Sequence, residues 1–250
     1  MKFTTRKLDE WPWQWIRQFI PNDVDKVLLP IGNMEAHGII PLGTDTLIPR
    51  AIAEAIADDV NALIAPPVPY GLTSSLRHYP GSMTMPSGVF KAYVTHILHD
   101  LALTGFREIY ILNGHGGQST ELRDVARRVH HQTGHRFAVI EWWELEIREI
   151  VDRVEHPGGH GGTIETAMIQ AIIPDAVHDE FLSPEELAPL RRGVSAYPFP
   201  GSIMQIDNEP LTRLDAHTVR TIFQLYCRAI RDLIHALSSQ WRRIPFPENR

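Results

Sequence analysis

Short apolar runs alternate along this chain with longer segments in which apolar residues recur at helical spacing. The apolar runs predict buried strands over residues 26–31, 62–66, 108–112 and 137–141. The longer segments predict amphipathic helices over residues 46–60, 87–104, 120–133, 164–173 and 212–237. Strands that alternate with helices in this way form a mostly parallel sheet covered by helices. The pattern therefore predicts an α/β fold, and we expect one domain over residues 1–250.

Glycine and proline mark the ends of these elements. Gly105 and Gly134 follow two predicted helices as C-caps, Pro174 stops a third, and Pro49 is tolerated in the first turn of helix 46–60. Two stretches, 66–86 and 197–210, are rich in proline, glycine, serine and tyrosine and are expected to be loops. Long loops in compact domains often line sites, so both are candidate pocket walls.

Composition narrows the class of partner. The chain has 24 basic and 30 acidic residues, a net charge of −6, and no basic block, so nucleic-acid binding is not expected. No window approaches about 18 uninterrupted apolar residues, so we expect no membrane span. The N-terminus lacks the apolar core of a secretory signal. The single cysteine, Cys227, excludes an intramolecular disulfide and fits a plain buried thiol, so we expect a cytoplasmic protein.

Three side chains of metal-binding type follow the first predicted strand in a glycine-rich segment. They are Glu35, His37 and Asp45. In extended backbone, residues two apart point to the same face, and a turn can return Asp45 to Glu35 and His37. Two carboxylates and an imidazole suit zinc, manganese or iron. The alternative is a helix N-cap at Asp45 with two surface polar residues. The three together favour a metal site.

A second motif, Asn-Gly-His-Gly-Gly-Gln over residues 113–118, follows the third predicted strand. His115 therefore lies at a strand's carboxyl end, where open α/β sheets bind ligands. Its alternatives are a simple turn with an incidental histidine, or an anion site at the start of the next helix. The Gly-Lys-Ser/Thr of a P-loop is missing from it.

The third motif contains His160 in a glycine-rich loop and Glu165 in the first turn of the next predicted helix. A further histidine and carboxylate would complete a site that activates a water on a metal and moves a proton. The alternatives are a loop histidine and a glutamate that complements the helix dipole.

Aromatic and hydroxyl side chains are candidate substrate contacts. Trp142 and Trp143 end the fourth predicted strand, and an aromatic wall suits a flat or amide-bearing substrate. Neighbours on a strand point to opposite faces, so at most one faces a pocket, and ordinary packing or an oligomer contact is the alternative. Tyr79 and Ser82 in loop 66–86 are further candidates.

These motifs together resemble the creatininase (creatinine amidohydrolase) family. That family's pattern is roughly Gly-Ser-x-Glu-x-His-Gly, Leu-Pro-Leu-Gly-Thr-Asp-Thr, Asn-Gly-His-Gly-Gly-Asn and His-Ala-Gly-x-x-Glu-Thr-Ser. It corresponds in order to residues 32–38, 40–46, 113–118 and 160–167. The resemblance implies a three-layer α/β/α fold, a two-metal centre and hydrolysis of a non-peptide, often cyclic, amide C–N bond. Members are commonly homo-oligomers, and creatininase itself is hexameric.

By position in these motifs, the resemblance implies that Glu35, His37, Asp45 and His115 are metal ligands. It implies that Asp45 bridges both metals, and that His160 is a catalytic histidine near the scissile bond. Glu165 is expected either to complete the metal ligands or to act in proton transfer. One or two divalent ions, zinc, manganese or iron, are the expected cofactors.

The chain departs from the family pattern at three places. The segment between the first histidine and the aspartate is one residue shorter, with Ile39 and Ile40 in place of a Pro-His pair, and Gln118 replaces the usual asparagine. Gly117 stands where creatininase proper has a glutamate ligand, which argues against creatinine as the substrate.

The predicted function is therefore metal-dependent hydrolysis of a small-molecule amide, a cyclic amide or formamide, by metal-activated water. Two alternatives remain: a non-catalytic small-molecule binder of the same fold, and a phosphate-ligand α/β enzyme that uses the turn at residues 114–117.

Overall fold

A computed structural model describes residues 3–182, 196–201 and 211–245 of the chain. Its helices and strands run in the order α1 (Trp13–Phe19), β1 (Lys26–Ile31), α2 (Thr44–Ile56), β2 (Ala62–Ile64), α3 (Ser87–Thr104), β3 (Glu108–Asn113), α4 (Ser119–Thr133), β4 (Arg136–Glu141), α5 (Arg148–Val151), α6 (Thr163–Ile172) and α7 (Ala216–Trp241). None of the helices in these ranges is both long enough and apolar enough to cross a membrane.

The four strands form one parallel sheet in the order β2-β1-β3-β4. β1 and β3 are therefore the central pair, and their register ends at Ile31 opposite Asn113. From β1 the chain adds β2 on one side, and from β3 it adds β4 on the other, so the direction of strand addition reverses between β1 and β3. Such a reversal leaves a crevice at the carboxyl ends of the two strands, which is where open α/β sheets bind ligands.

Two hydrophobic clusters cover the two faces of the sheet. Leu28, Tyr110 and Leu112 belong to one cluster, with apolar residues of α2, α6 and α7. Alternate strand residues such as Leu29 and Ile111 belong to the other, with residues of α1, α3 and α4. Because every β1 and β3 residue is buried, both strands are nearly continuous apolar runs. The predicted three-layer α/β/α architecture with a parallel sheet is confirmed.

Most element boundaries lie within two residues of those predicted. Gly105 and Gly134 close α3 and α4 in the left-handed region, with φ of 110° and 72°, as predicted. Asp215 sets the start of α7, because its carboxylate accepts from the backbone N–H groups of His217 and Thr218. The prediction had started this helix at residue 212. Residues 202–210 of the predicted loop 197–210 lie outside the described residues.

Three helical features differ from prediction. The sequence pattern missed α1 and α5, which have seven and four residues and are too short for a clear helical period. α2 begins at Thr44, two residues early, so Pro49 lies in its second turn rather than its first. Asp45 is therefore inside the first turn, and Gly43 rather than Asp45 occupies the N-cap.

The start of α2 packs against the ends of both central strands. A Cβ added to Gly32, just after β1, or to Gly114, just after β3, would overlap the backbone carbonyl group of Asp45. Pro49 has no N–H group, so the Asp45 carbonyl also lacks the donor that a helix normally places four residues later. Glycine at both positions thus lets the strand ends pack closely against Asp45, the residue that the family resemblance implies is a bridging ligand.

We expect Gly114→Ala to lower the free energy of unfolding by about 1–3 kcal/mol, the usual cost of overpacking a tight interior. The added methyl group must push the Asp45 carbonyl and the start of α2 away from β3. Denaturant titration measures the change. Gly88→Ala in α3 is the matched control, because a Cβ there meets no atom within 4 Å. An unchanged unfolding midpoint in Gly114→Ala would contradict this packing.

Candidate metal centre

Six side chains from four parts of the chain converge at the carboxyl edge of β1 and β3. The turn after β1, the first turn of α2, the turn after β3, and the loop before α6 together with the first turn of α6 contribute them: Glu35, His37, Asp45, His115, His160 and Glu165. These are all the candidate catalytic and ligand residues that the sequence identified.

Asp45 lies at the middle of this cluster. Its Oδ1 is 2.9 Å from Nε2 of His37, and its Oδ2 is 3.1 Å from Nδ1 of His115. The same Nδ1 of His115 is 3.1 Å from Oε1 of Glu35. Glu35 and Asp45 expose only 1% and 2% of their surface. Two buried carboxylates therefore converge on one imidazole nitrogen.

Each imidazole is oriented by a main-chain carbonyl. Each ring donates one N–H to it: Nδ1 of His37 to Glu35 (2.9 Å), Nε2 of His115 to Leu72 (2.6 Å) and Nε2 of His160 to Ala36 (2.6 Å). Such a bond fixes which ring nitrogen carries a proton and leaves the other free for a metal. In all three rings, the nitrogen that does not bond to a main-chain carbonyl is the one that faces carboxylates.

Carboxylate oxygens in the cluster lack hydrogen-bond donors. Among the described residues, none donates in good geometry to either oxygen of Glu35 or to Oδ2 of Asp45, although all three atoms are buried. A buried carboxylate without a donor or a cation is strongly unfavourable. These carboxylate oxygens, together with the imidazole nitrogens beside them, are the kind of ligand set that binds a divalent metal of the zinc, manganese or iron type.

Without a metal, protons supply the positive charge. Burial opposes ionisation of Glu35 and Asp45, but neighbouring imidazoles outweigh it: His115 and His160 lower the pKa of Glu35, and His37 and His115 lower that of Asp45. Burial likewise opposes charge on His37, but Asp45 overcomes it and raises the pKa of His37 to about 10. Asp45 and Glu35 also raise the pKa of His115 well above its ordinary value.

His160 and Glu165 have the opposite tendency. Burial and the nearby charge of His37 lower the pKa of His160 to about 4. Its ring stacks on His37 at 4.1 Å between centroids, and its Nδ1 is 3.3 Å from Oε1 of Glu35. Burial raises the pKa of Glu165 to about 7. At neutral pH, His160 is therefore an uncharged base and Glu165 is balanced between two protonation states.

Two sets of three ligand atoms share Asp45. One set comprises Glu35, Asp45 and His115, and the other comprises His37, Asp45 and Glu165; the atoms within each set lie within 4.8 Å of one another. The Oε2 atom of Glu165 is 4.0 Å from Nε2 of His37 and accepts a 2.6 Å hydrogen bond from the backbone of Gly161. A third set joins Glu35 and His37 to His160.

A cavity of about 570 Å³ opens above the cluster. Trp142 and Trp143 both line it, with Tyr226 of α7 and Phe199. The expectation that only one tryptophan could face a pocket is wrong. Residues Trp142–Glu144 form a 3₁₀ turn rather than a strand, so the alternation of strand side chains does not apply.

Tyr79 and Ser82 are not among the described residues that line this cavity, which corrects their assignment as pocket residues. The backbone N–H groups of Tyr79 and Ser82 donate to the carbonyls of Leu76 and Tyr79, which form two successive turns in this loop. Ser82 supports the ligand turn instead, because its Oγ accepts a 2.9 Å hydrogen bond from the backbone N–H of Ala36.

Sequence reasoning missed several participants. Leu72 contributes a main-chain carbonyl, which has no side-chain signature. Tyr226 reaches the cavity from the distant α7, and its only signal was an aromatic residue with a polar tip on the buried side of that helix. Gly71 and Gln118 contact each other beneath the cluster, and no spacing in the sequence predicts that contact.

The chain matches a family model described as "Creatininase: Creatinine amidohydrolase" over residues 9–213. It is 29% identical over 170 residues to the creatinine amidohydrolase of Pseudomonas putida, covering 60% of this chain and 65% of that protein. It is 26% identical over 184 residues to a mycofactocin precursor peptide peptidase of Mycobacterium ulcerans, covering 68% of each. The match thus spans about two thirds of these relatives' lengths.

Solved structures resemble the whole fold. A mutant creatininase of "Zn-Zn type" superposes with a TM-score of 0.81 at 20% identity, covering 98% of this chain and all of that one. Another structure, "Creatininase Mn", has a TM-score of 0.79 at 22% identity. At these identities the likeness establishes the fold, which is creatininase-like.

We expect metal affinity to rise with pH between about 6 and 9, because ligand imidazoles must lose protons to bind a metal. With the pKa of His37 near 10, its Nε2 is protonated in the metal-free protein at neutral pH, so binding releases that proton. Calorimetric zinc titrations at pH 7, in buffers of different ionisation enthalpy, count the protons.

His160→Gln is the control for this count, because the low pKa of His160 leaves it without a proton to release at pH 7. It should release as many protons as the wild type. Zinc affinity that stays constant from pH 6 to 9 would contradict the proton-filled state of the cluster.

Proposed function

The chain belongs to the creatininase family, and we propose that it is a metal-dependent hydrolase of the C–N bond in a small cyclic amide or formamide. One observation carries the proposal: the buried Asp45 carboxylate spans two imidazoles beside Glu35, to whose oxygens no described residue donates in good geometry. The names of the two curated relatives, an amidohydrolase and a peptidase, support hydrolysis as the reaction class.

The residues divide into two metal positions on either side of Asp45. Glu35 and His115 would hold one ion with Oδ2 of Asp45, and His37 would hold the other with Oδ1. A divalent metal supplies a Lewis acid for the amide carbonyl and lowers the pKa of water toward neutrality. The solved creatininases of Zn-Zn type and with Mn support those two metals here.

His160 is suited to move the proton. It lines the cavity, it is uncharged at neutral pH, and its Nε2–H bond to Ala36 leaves Nδ1 as the basic atom. It can therefore accept a proton from the attacking water and pass it to the leaving nitrogen. The backbone bond holds the ring in place during both transfers, so His160 needs no carboxylate partner to orient it.

The cavity favours a small, flat substrate. Its volume of about 570 Å³ is in the range of small-molecule sites, and five tryptophan, tyrosine and phenylalanine side chains of the described residues line it. Aromatic faces stack on planar amides. The carboxylates of Glu35 and Asp45 beside Nδ1 of His115 repel an anion, which argues against a phosphate ligand at the turn after β3.

We expect hydrolysis of at least one member of a panel of lactams, formamides and short peptides by protein loaded with zinc, manganese or iron. Chelation should abolish this hydrolysis. Asp45→Ala should lower kcat/KM by at least about 10²-fold, because Asp45 touches both metal positions. Asp124→Ala in α4, a half-buried aspartate outside the cluster that pairs with Arg127, is the matched control.

The contrary outcomes are distinct. Less than about 0.2 metal per chain in metal-replete protein would exclude a metal centre. Hydrolysis that is indifferent to chelators would indicate another mechanism. Stoichiometric metal without hydrolysis of any substrate would favour the non-catalytic binder.

We further expect Glu165→Gln to lower the metal content from two ions per chain to one. The variant removes a carboxylate charge 4.0 Å from Nε2 of His37 and leaves Glu35, Asp45 and His115 intact. Elemental analysis after dialysis measures the content. Glu149→Gln in α5, which is exposed, is the control. Two ions in Glu165→Gln would instead assign Glu165 to proton transfer.

A further inference from the structure

Gln118 connects the ends of the two central strands beneath the metal ligands. The β1–β3 ladder finishes with the backbone N–H of Gly114 donating to Ile31 (2.8 Å). Beyond that bond, Nε2 of Gln118 donates to the Gly32 carbonyl (3.3 Å) and to Oδ1 of Asn113 (3.2 Å). Gln118 is fully buried. Its amide therefore adds one more link between the strands after their own hydrogen bonds have ended.

The first route from Gln118 to the ligands passes through Asn113. The side-chain amide of Asn113 clamps the backbone of His115: its Oδ1 accepts from the His115 N–H (3.1 Å), and its Nδ2 donates to the His115 carbonyl (2.9 Å). Because Gln118 donates to that same Oδ1, it holds the Asn113 amide in the orientation that the clamp needs.

The second route passes through Gly71. A Cβ on Gly71 would overlap Oε1 of Gln118 and would lie 2.9 Å from the Gly32 carbonyl oxygen. The side chain of Gln118 thus occupies the space that a larger residue at position 71 would take. The next residue, Leu72, supplies the carbonyl that accepts Nε2–H of His115. Gln118 therefore supports both the backbone of His115 and the segment that orients its ring.

From these contacts we propose that Gln118 is a positioning residue, which sets the placement of Nδ1 of His115 against the carboxylates of Glu35 and Asp45. The inference rests on the proposed metal centre and deepens it. Among the described residues, the hydrogen bonds of Gln118 go to Gly32 and Asn113 and none goes to a ligand atom, so Gln118 acts on His115 through Asn113 and Gly71. A shift of this support moves His115 relative to ligands carried by β1 and α2, and metal geometry tolerates little such movement.

The test removes the side-chain amide of Gln118 and keeps a side chain of similar volume. Gln118→Leu retains the buried volume and loses both donated hydrogen bonds. We expect manganese or zinc affinity to fall about 10–100-fold, the usual cost of losing a group that orients a metal ligand. A residue that only fills space would leave the affinity unchanged. Gln132→Leu, on the exposed face of α4, the helix that Gln118 precedes, is the matched control. Affinity in Gln118→Leu within twofold of wild type would overturn the inference.

A double-mutant cycle tests the contact with Gly71. Gly71→Ala alone should weaken metal binding, because its methyl group displaces the Gln118 amide. In a Gln118→Ala background that amide is absent, so the same change should cost clearly less. Such non-additivity is the signature of coupled residues. Equal losses of affinity in the two backgrounds would overturn the coupling.

A metal-free measurement keeps this inference separate from the proposed function. In wild-type protein, ¹⁵N-labelled histidine should show a slowly exchanging Nε2–H for His115, assigned with His115→Gln, because that proton is bonded to Leu72. Gln118→Leu should lose the protection, and Gln132→Leu should keep it. If the wild type binds no metal, the proposed function fails, and this resonance still decides the role of Gln118: retained protection in Gln118→Leu overturns it.

Discussion

The convergence of Glu35 and Asp45 on His115 is the constraint on which the rest of this site depends. Two carboxylate oxygens lie 3.1 Å from the same ring nitrogen, inside the protein, where a charge without a partner is strongly unfavourable. Positive charge between them is therefore obligatory. Protons on the imidazoles can supply it, as the raised pKa values of His37 and His115 show, and a divalent ion in their place satisfies the same requirement.

The fold meets this constraint by close backbone approach. Strands β1 and β3 bring their ends side by side, and glycine at positions 32 and 114 lets the start of α2 approach both. The carboxylate of Asp45 can therefore face ligands carried by either strand. The same sheet geometry leaves a cavity above the ligands. Charged residues at its base follow β1 and β3, whereas aromatic residues of its walls, such as Trp142 and Tyr226, come from other segments.

Much of this arrangement was predictable from sequence, because strands buried on both faces are apolar throughout and glycine-rich turns mark their ends. Those two signals led to the sheet and to the six side chains that the structure brings together. Tertiary contacts account for what was missed. Gly43, rather than Asp45, is the N-cap of α2, and a 3₁₀ turn brings both Trp142 and Trp143 to the cavity. The single domain over residues 1–250 and the homo-oligomer stay predictions.

The three carbonyls that orient the histidines have an evolutionary consequence. Glu35, Ala36 and Leu72 provide these acceptors through their main chain, and every amino acid has the same carbonyl. At Ala36 and Leu72, a substitution can change the side chain while the anchor persists. The residues around the cavity can accordingly diverge toward new substrates while the histidines keep their orientation. Relatives named for a creatinine ring and for a precursor peptide are the kind of diversity that such a scaffold permits.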